Sequence, residues 1–323
     1  MRLDVVYATD ENYAMYTGVS ICSLLINNKN IDELVIHIID NNIAPDSKKK
    51  LTKLAEDFDR RIVFHDSKKM FDNLASKITM KNTQTITAYA CCFMAYLFDS
   101  SLDKVLYMDG DSLVCGSLSN ICDIDMSDCY VCGAQDIAAP IVREKIGFKQ
   151  DDYYINSGFL YMSLENIRKA DLYSDIVKFI EDVIPTSMHN DQDVVNGIYH
   201  SKTKILPLRY NVLTPLYEKS YKDIKDFYQL QCYYDEREID EALKNPVFIH
   251  FTGSFTRRPW IKGCKHPKKK EWNYYKSLTE WKDVSDKPDN RNVKKKLLDW
   301  MFHNLNVSTF KKLTSFSAKI QGR

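Results

Sequence analysis

Strand and helix signals alternate along the first third of the chain, and this alternation limits the fold more than any other feature of the sequence. Apolar segments rich in Val and Ile predict strands, and segments with apolar residues every three or four positions predict helices. The predicted strands are 3–9, 33–40, 61–66 and 104–108, and the predicted helices are 13–27, 45–58 and 88–98. This βαβα order is typical of an α/β domain with a wound, mainly parallel sheet.

Charge is balanced over the whole chain but uneven along it. The 45 Lys and Arg residues are matched by 44 Asp and Glu, so composition carries no nucleic-acid signature. From Lys262 to Arg323, however, 16 basic residues stand against 6 acidic ones. Basic amphipathic helices are predicted there at 293–305 and 310–320. We divide the chain into a core domain, 1–262, and a basic, aromatic-rich C-terminal extension, 263–323, which either binds an anionic membrane surface or packs on the core.

Cysteine usage and the N-terminus bear on the compartment. The nine cysteines are irregularly spaced and do not suggest a disulfide framework. The N-terminal sequence MRLDVVYATD predicts a strand rather than a signal peptide. The apolar run at 88–98 is too short to span a bilayer. We therefore expect a reducing compartment, the cytoplasm.

The sequence KVLYMDGDSLV places Asp109 and Asp111 directly after an apolar strand, with Gly110 between them. Two carboxylates about 5 Å apart repel by roughly 3 kcal/mol at an effective dielectric constant of 20. A divalent cation such as Mg²⁺ or Mn²⁺ would remove this repulsion and use the same oxygen lone pairs. The alternative is a hairpin turn with both aspartates solvated at its tip.

Other segments also place polar residues after apolar runs, as expected at the carboxyl edge of a sheet that binds a nucleotide. Each of these residues has a structural alternative as well, because aspartate often caps helices, asparagine stabilises turns, and a lone histidine is often a core residue. The candidates are Ala8, Thr9, Asp10 and Asn12 in YATDENY, Asn156 and Ser157 in YYINSGF, Asp191, Gln192 and Asp193 in MHNDQD, and His250, Gly253, Arg257 and Arg258 in VFIHFTGSFTRRPW.

In this order the motifs resemble glycosyltransferase family 8, retaining enzymes that include bacterial lipopolysaccharide galactosyl- and glucosyltransferases. The resemblance runs from Leu3 to about Trp260. It implies a GT-A type, Rossmann-like nucleotide-sugar-binding domain. It further implies UDP-glucose or UDP-galactose as donor, Mn²⁺ (with Mg²⁺ as the second candidate) as cofactor, and a glycan or glycolipid as acceptor. Biosynthesis of a bacterial surface glycan is the setting that it suggests.

The resemblance also implies roles for individual residues. Asp109, Asp111 and His250 would bind the metal, and an imidazole ligand suits Mn²⁺ better than Mg²⁺. Gln192 would face the anomeric carbon of the donor sugar, with Asp191 beside it. The other positions would hold the rest of the donor: Ala8, Thr9, Asp10 and Asn12 the uridine, Asp136, Asn156 and Asp191 the sugar, and Gly253 with Arg258 the diphosphate.

Two residues depart from the family pattern. Cys91 stands where the family usually has an arginine that contacts the donor, and that contact is lost unless Arg257 or Arg258 replaces it. Thr83 stands where lipopolysaccharide galactosyltransferases carry an acceptor-side histidine.

Two other classes of protein stay open. One is a phosphotransferase of the haloacid-dehalogenase type, although the second aspartate is followed by Ser112 and Leu113 rather than by the usual Gly-Thr. The other is a non-catalytic protein that binds nucleotide sugars.

Overall fold

The computed structural model describes residues 1–70, 89–149, 151–187, 189–253 and 255–320, and the side chains of the last helix as far as Thr314. The strands are β1 (Arg2–Asp10), β2 (Glu33–Asn41), β3 (Arg61–Asp66), β4 (Lys104–Met108), β5 (Ser112–Val114), β6 (Val131–Gly133), β7 (Phe159–Ser163), β8 (Thr203–Ile205), β9 (Val212–Leu213) and β10 (Phe248–His250). The α-helices are α1 (Ala14–Asn27), α2 (Pro45–Glu56), α3 (Met94–Leu97), α4 (Ser119–Cys122), α5 (Pro140–Glu144), α6 (Leu164–Ala170), α7 (Tyr173–Asp182), α8 (Asp191–Tyr199), α9 (Tyr221–Tyr228), α10 (Glu236–Lys244), α11 (Lys269–Ser277), α12 (Val293–Asn304) and α13 (Val307–Ile320).

A large sheet with the strand order β3-β2-β1-β4-β7-β6-β8 forms the centre of the molecule. β1 pairs in parallel with β2 and β4, β2 with β3, and β6 with β8, whereas β7 runs antiparallel to both of its neighbours. The carboxyl ends of β1 and β4 therefore meet at one edge. The mainly parallel α/β fold predicted from the alternation is confirmed.

A small sheet, β5-β10-β9, lies beside the large one. β10 runs antiparallel to β5 and places His250 opposite Ser112. The segment 109–111 thus connects a strand of the large sheet to a strand of the small one, so it is not the tip of a hairpin. Gly110 is required there by space, since a Cβ atom would lie 2.2 Å from the Thr17 hydroxyl oxygen.

Helix α1 packs between the two sheets through buried hydroxyl groups as well as apolar side chains. Ser20 Oγ lies 3.1 Å from Tyr7 Oη of β1 and 2.8 Å from Ser112 Oγ of β5. The backbone N–H of Val114 donates to Ser23 Oγ at 2.9 Å. These bonds satisfy groups that are buried away from water and fix the small sheet against the large one.

The helix predicted at 88–98 is found over residues 89–97, but only its last part is α-helical. Residues 89–93 form a 3₁₀ turn, and only Met94–Leu97 are α-helical; residue 88 lies outside the described part. Within the 3₁₀ turn, the carbonyl of Cys92 accepts a hydrogen bond from Tyr199 Oη at 2.7 Å. A tertiary contact therefore satisfies a carbonyl that an α-helix would satisfy internally.

The first part of the C-terminal extension packs on α1. Just before it, Trp260 of the core domain stacks on Tyr16 with ring centroids 4.1 Å apart. Trp281 fills the space over Gly18, where an added Cβ would lie 2.5 Å from the indole ring. Tyr275 Oη accepts a hydrogen bond from Asn27 Nδ2 at 2.8 Å.

The helix pair α12–α13 docks through aromatic side chains and leaves part of α12 exposed. Phe302 and Phe310 are 2% exposed, with ring centroids 5.6 Å apart. Val293, Leu297 and Trp300, which share the predicted apolar arc of α12, are instead 82%, 53% and 57% exposed. Within the described residues, no helix combines the length and the apolar character that a membrane span needs.

Candidate functional site

Asp109, Asp111 and His250 meet where the two sheets join. Their potential ligand atoms all lie within 4.8 Å of one another. His250 Nε2 is 3.5 Å from Asp109 Oδ2 and 3.2 Å from Asp111 Oδ1. The β5–β10 register causes this meeting, because it places His250 opposite the residue that follows Asp111.

The surroundings of His250 suit a metal ligand. Its Nδ1 lies 3.1 Å from Asn156 Oδ1, an acceptor, so Nδ1 carries a proton and Nε2 is the ring nitrogen that faces the two aspartates. Gly158 leaves room for the ring, since a Cβ there would lie 2.3 Å from His250 Cε1. Tyr107 Oη donates to Asp109 Oδ1 at 2.9 Å and orients that carboxylate. Two carboxylates and an oriented imidazole fit a divalent cation such as Mn²⁺.

Burial and mutual charge shift the pKa values of this triad. Burial raises the pKa of Asp109, assisted by the charge of Asp111 and opposed by His250. Burial also opposes ionisation of Asp111, but His250 and Arg258 outweigh it and hold the pKa of Asp111 below its ordinary value. In the same way, the carboxylates of Asp111 and Asp109 outweigh burial and raise the pKa of His250. The site therefore attracts positive charge.

A hydrogen-bond network joins the triad to the predicted sugar-binding residues. Asn156, whose Oδ1 meets His250, donates through Nδ2 to Asp136 Oδ2 at 2.9 Å and to Gln192 Oε1 at 2.8 Å. Gln192 Nε2 donates to Asp136 Oδ2 at 2.8 Å, and its Oε1 also accepts from the Ser157 N–H at 3.1 Å. Asp136, Asn156 and Gln192 thus form one connected set of fixed orientation.

Asp191 is the first residue of α8 and lies beside this network. Its Oδ2 accepts from Ser157 Oγ at 3.0 Å and from Cys91 Sγ at 3.6 Å. Burial, together with the charge of Asp109, raises the pKa of Asp191 to about 7. The hydrogen bonds from Ser157 and Cys91 favour the ionised carboxylate but do not outweigh this rise.

The side chains of the two consecutive arginines contact different parts of the molecule. Arg258 Nη2 lies 2.8 Å from Asp111 Oδ2, and its Nη1 donates to Tyr13 Oη at 2.8 Å. Arg257 Nε lies 3.0 Å from Asp289 Oδ2, away from the triad. Neither of these contacts is with Asp191, so within the described residues neither arginine takes the place that Cys91 leaves. Gly253 packs beside Arg258, whose Nε would be 3.3 Å from an added Cβ.

The residues predicted to hold uridine lie at and just after the carboxyl end of β1. Thr9 Oγ1 accepts from Thr17 Oγ1 at 3.0 Å, and Asp10 Oδ1 accepts from the Tyr13 N–H at 3.0 Å. Ala8 belongs to the same strand, and Asn12 lies in the turn that leads into α1. Since Tyr13 also meets Arg258, this end of β1 adjoins the triad.

Sequence reasoning missed several residues that support the site. Tyr107 precedes Asp109 by two positions, and the period of two in a strand could have placed both side chains on one face. Asn211 Nδ2 donates to Asn156 Oδ1 at 2.8 Å, and no local signal marks this contact. Thr83, predicted on the acceptor side, lies outside the described residues.

A wound, mainly parallel sheet of this kind is typical of GT-A type glycosyltransferases, and the structural comparisons agree on the fold. The galactosyltransferase LgtC, solved in complex with donor and acceptor sugar analogs, aligns with a TM-score of 0.68 over 86% of this chain and 96% of that chain, at 22% identity. The bifunctional glycosyltransferase WbbM aligns with a TM-score of 0.72 over 87% of this chain and 50% of that chain, at 21% identity. These likenesses establish the fold.

Residues 4–264 match the family model of glycosyl transferase family 8, and the chain belongs to this family. General stress protein A of Bacillus subtilis (strain 168) is 27% identical over 290 residues, which are 88% of this chain and 96% of that protein. A lipopolysaccharide 1,2-glucosyltransferase of Escherichia coli is 26% identical over 298 residues, 90% of this chain and 82% of that protein. The protein is therefore a glycosyltransferase, and the phosphotransferase and non-catalytic interpretations are set aside.

Proposed function

We propose that this protein is a metal-dependent, retaining hexosyltransferase that moves glucose or galactose from a UDP-sugar to a surface-glycan or lipopolysaccharide-type acceptor. The observation that carries the proposal is the continuous network from His250 through Asn156 to Gln192. This network connects the candidate metal ligands to the residues proposed to hold the sugar. Relatives named as lipopolysaccharide glucosyl- and galactosyltransferases support the substrate class.

Asp109, Asp111 and His250 are proposed to hold Mn²⁺, with Mg²⁺ as the second candidate. Such an ion would supply electrostatic stabilisation of the diphosphate that leaves when the anomeric bond breaks. Arg258 would add a second cation to the same leaving group. It already lies against Asp111, so a small change of its side chain would turn it toward a phosphate oxygen.

Gln192 and Asp191 are proposed to meet the reacting sugar, with Asp136 and Asn156 on its hydroxyl groups. Gln192 Oε1 accepts hydrogen bonds from Asn156 Nδ2 and from the Ser157 N–H. Its lone pairs are thus engaged, and facing an anomeric carbon requires that one of these bonds be exchanged for the sugar. The bond from Gln192 Nε2 to Asp136 does not use Oε1, so it can hold Gln192 in place during this exchange.

The domain division is kept as part of the proposal: residues 1–262 form the glycosyltransferase domain, and 263–323 form the extension. The family match, which ends at residue 264, supports this division. We propose that the exposed arc of α12 (Val293, Leu297 and Trp300, flanked by lysines) contacts an anionic membrane surface. The proposed setting is the cytoplasmic face of the cell membrane, where a glycolipid acceptor would be accessible.

The function is tested by measuring UDP release from a panel of UDP-sugars with and without Mn²⁺. We expect release with UDP-glucose or UDP-galactose that requires the metal and is lost in Asp111→Asn. Asp240→Asn, exposed on α10, makes the same chemical change away from the site and should leave release intact. Equal release by wild type and Asp111→Asn would refute the metal assignment.

The membrane proposal is tested by sedimentation with phosphatidylglycerol vesicles. Leu297→Ser/Trp300→Ser should lose binding to these vesicles and keep donor hydrolysis, because both side chains are exposed. Tyr274→Ser, which alters an aromatic residue that is also 57% exposed but lies on α11, is the matched control. Unchanged vesicle binding by the double variant would contradict the proposal.

A further inference from the structure

Residues 255–258, here called the arginine segment, send their side chains to two different parts of the molecule. Phe255, Thr256 and Arg257 all contact the C-terminal extension. The next residue, Arg258, contacts Asp111 of the metal triad. The segment is therefore a short covalent connection between the extension and the candidate diphosphate site.

Arg257 belongs to an ion cluster with Asp289, Arg291 and Asp299 of the extension. Its Nε lies 3.0 Å from Asp289 Oδ2, and its Nη2 lies 3.5 Å from Asp299 Oδ2. Arg291 binds Asp289 through two parallel contacts of 2.9 and 3.1 Å and reaches Asp299 at 2.7 Å. The aspartate side chains are only 14% and 13% exposed, so solvent screens this cluster less than it screens an isolated surface pair.

Two further polar contacts and a ring stack tie the same segment to the extension. Arg291 Nη1 donates to the carbonyl of Phe255 at 3.0 Å, and Thr256 Oγ1 lies 3.0 Å from His303 Nε2. The rings of Phe255 and Phe302 are stacked, with centroids 4.4 Å apart and an interplanar angle of 22°. Three consecutive residues of the segment are thus fixed from the extension side.

Between the segment and the extension lies open space that Arg258 also borders. A cleft of about 780 Å³ is lined in part by Gly253, Arg258 and Lys295. The Arg258 side chain is 30% exposed and is held by Asp111, by Tyr13 and by the carbonyl of Phe251. The guanidinium is thus tied to the core by three contacts, while the backbone from which it extends belongs to the segment that the extension fixes.

We propose that Arg257 and Asp299 are positioning residues for the diphosphate of the donor: their ion pair fixes the arginine segment so that Arg258 is aimed at the leaving group. This inference rests on the proposed function, because it takes a nucleoside diphosphate as the ligand. Neither residue touches the donor. Both act through Arg258, whose side chain would otherwise lose conformational freedom on binding, at a cost in affinity.

A purely structural role of the cluster makes a different prediction. If the cluster only stabilised the fold, its loss would weaken every ligand of the site or none. Positioning of Arg258 instead affects ligands that carry phosphate and spares uridine, which is proposed to bind at the end of β1. If Arg257 and Asp299 act through Arg258, their loss should not weaken UDP binding further once Arg258 itself is removed. The free-energy effects of residues that act through one another are not additive.

The experiment is calorimetric titration of the full-length protein with UDP and with uridine, both in the presence of Mn²⁺. The variants are Asp299→Asn and Arg257→Met, each alone and combined with Arg258→Gln, and thermal melting verifies folding. Asp240→Asn is the matched control for charge removal. We expect each single variant to weaken UDP binding by about tenfold, a typical loss for a supporting residue, and uridine binding by less than about twofold. In the Arg258→Gln background we expect no further loss.

Equal weakening of UDP and uridine, unchanged UDP binding, or additive losses in the Arg258→Gln background would each overturn the positioning role. If Asp299→Asn does not fold, Arg257→Met decides by the same criteria, since it leaves the Arg291–Asp289 and Arg291–Asp299 pairs in place. A wild-type protein that fails to bind UDP with Mn²⁺ would refute the proposed function itself. A wild-type protein that binds UDP, together with variants that bind it equally well, would instead refute only the positioning role.

Discussion

Gly158→Ala is the smallest change that reaches the metal triad without altering a candidate ligand. The backbone of Gly158 cannot retreat, because its N–H donates to Asn156 Oδ1 at 3.0 Å and its carbonyl accepts from the Asp109 N–H at 3.0 Å. An added methyl group would lie 2.3 Å from His250 Cε1 and 2.4 Å from its Nδ1. Restoring an ordinary contact of 3.4 Å requires the imidazole to move by about 1 Å.

Such a movement weakens two contacts at once. The bond from His250 Nδ1 to Asn156 Oδ1, now 3.1 Å, would lengthen beyond hydrogen-bonding distance, and Nε2 would leave its position between the aspartates. Loss of a ligand's orienting contact typically costs 10- to 100-fold in metal affinity, and about this loss is expected for Mn²⁺. Overpacking should also lower the free energy of unfolding by about 1–3 kcal/mol.

The assay is the Mn²⁺ concentration that gives half-maximal UDP binding, measured together with urea denaturation. Gly116→Ala is the matched control, since its added Cβ would find its nearest neighbours, atoms of Val247, at 3.4 Å. We expect Gly116→Ala to reach half-maximal UDP binding at the wild-type Mn²⁺ concentration. Gly158→Ala should need a much higher Mn²⁺ concentration, because its affinity for the ion is lower. If Gly158→Ala binds UDP at the same Mn²⁺ concentration as wild type, the tight contact with His250 does not control the metal site.

Three further changes test other parts of the structure. Tyr107→Phe removes the hydroxyl that orients Asp109 and should weaken Mn²⁺ binding about tenfold in the same titration; unchanged affinity would refute this orienting role. Asn196→Ala breaks three hydrogen bonds to the backbone of Ile155 and Gln192 and should cost about 3 kcal/mol in urea denaturation, whereas a loss below about 1 kcal/mol would contradict that estimate. For His303, contacts with Glu218 and Asp299 outweigh burial and raise its pKa above 6.5, within a cluster that also holds Arg257. The stabilising charge is present in full below pH 6.5 and is lost as pH rises through the raised pKa, so His303→Gln should melt below wild type at about pH 6 and converge with it by about pH 9. A melting difference that is independent of pH would contradict this.

The first strands and helices could be predicted from sequence because each has a local cause. The strand at 61–66 and the start of helix α2 at Pro45 agree with the pattern to the residue, since a short apolar run and a proline at a first helical position are local signals. The helix at 88–98 was located, but the pattern did not predict the 3₁₀ geometry of residues 89–93, where the Cys92 carbonyl binds Tyr199, more than a hundred positions away. Local propensity contains no information about that partner.

The site shows the same difference between local sequence signals and tertiary contacts. Asp109 and Asp111 carry a local signal, two carboxylates after an apolar strand, and the resemblance to a family added His250. What unites the three is the pairing of β5 with β10, which brings together segments about 135 positions apart. The contact of Asn211 with Asn156 likewise depends on tertiary packing alone.

The orientation of α12 is the other feature that the pattern left undecided. Its apolar arc was recognised, but periodicity does not say whether such an arc faces the protein or the solvent. The helix docks through Phe302, while Asp299 and His303 enter the ion cluster around Arg257. The arc with Trp300 is consequently left exposed.

Crystals grown with Mn²⁺ and UDP, analysed at the manganese absorption edge, test the central assignment most directly. A single anomalous peak in contact with Asp109, Asp111 and His250 and with the diphosphate is the predicted result. A UDP molecule bound with its diphosphate away from these three side chains, or a manganese peak at another place, would contradict the account.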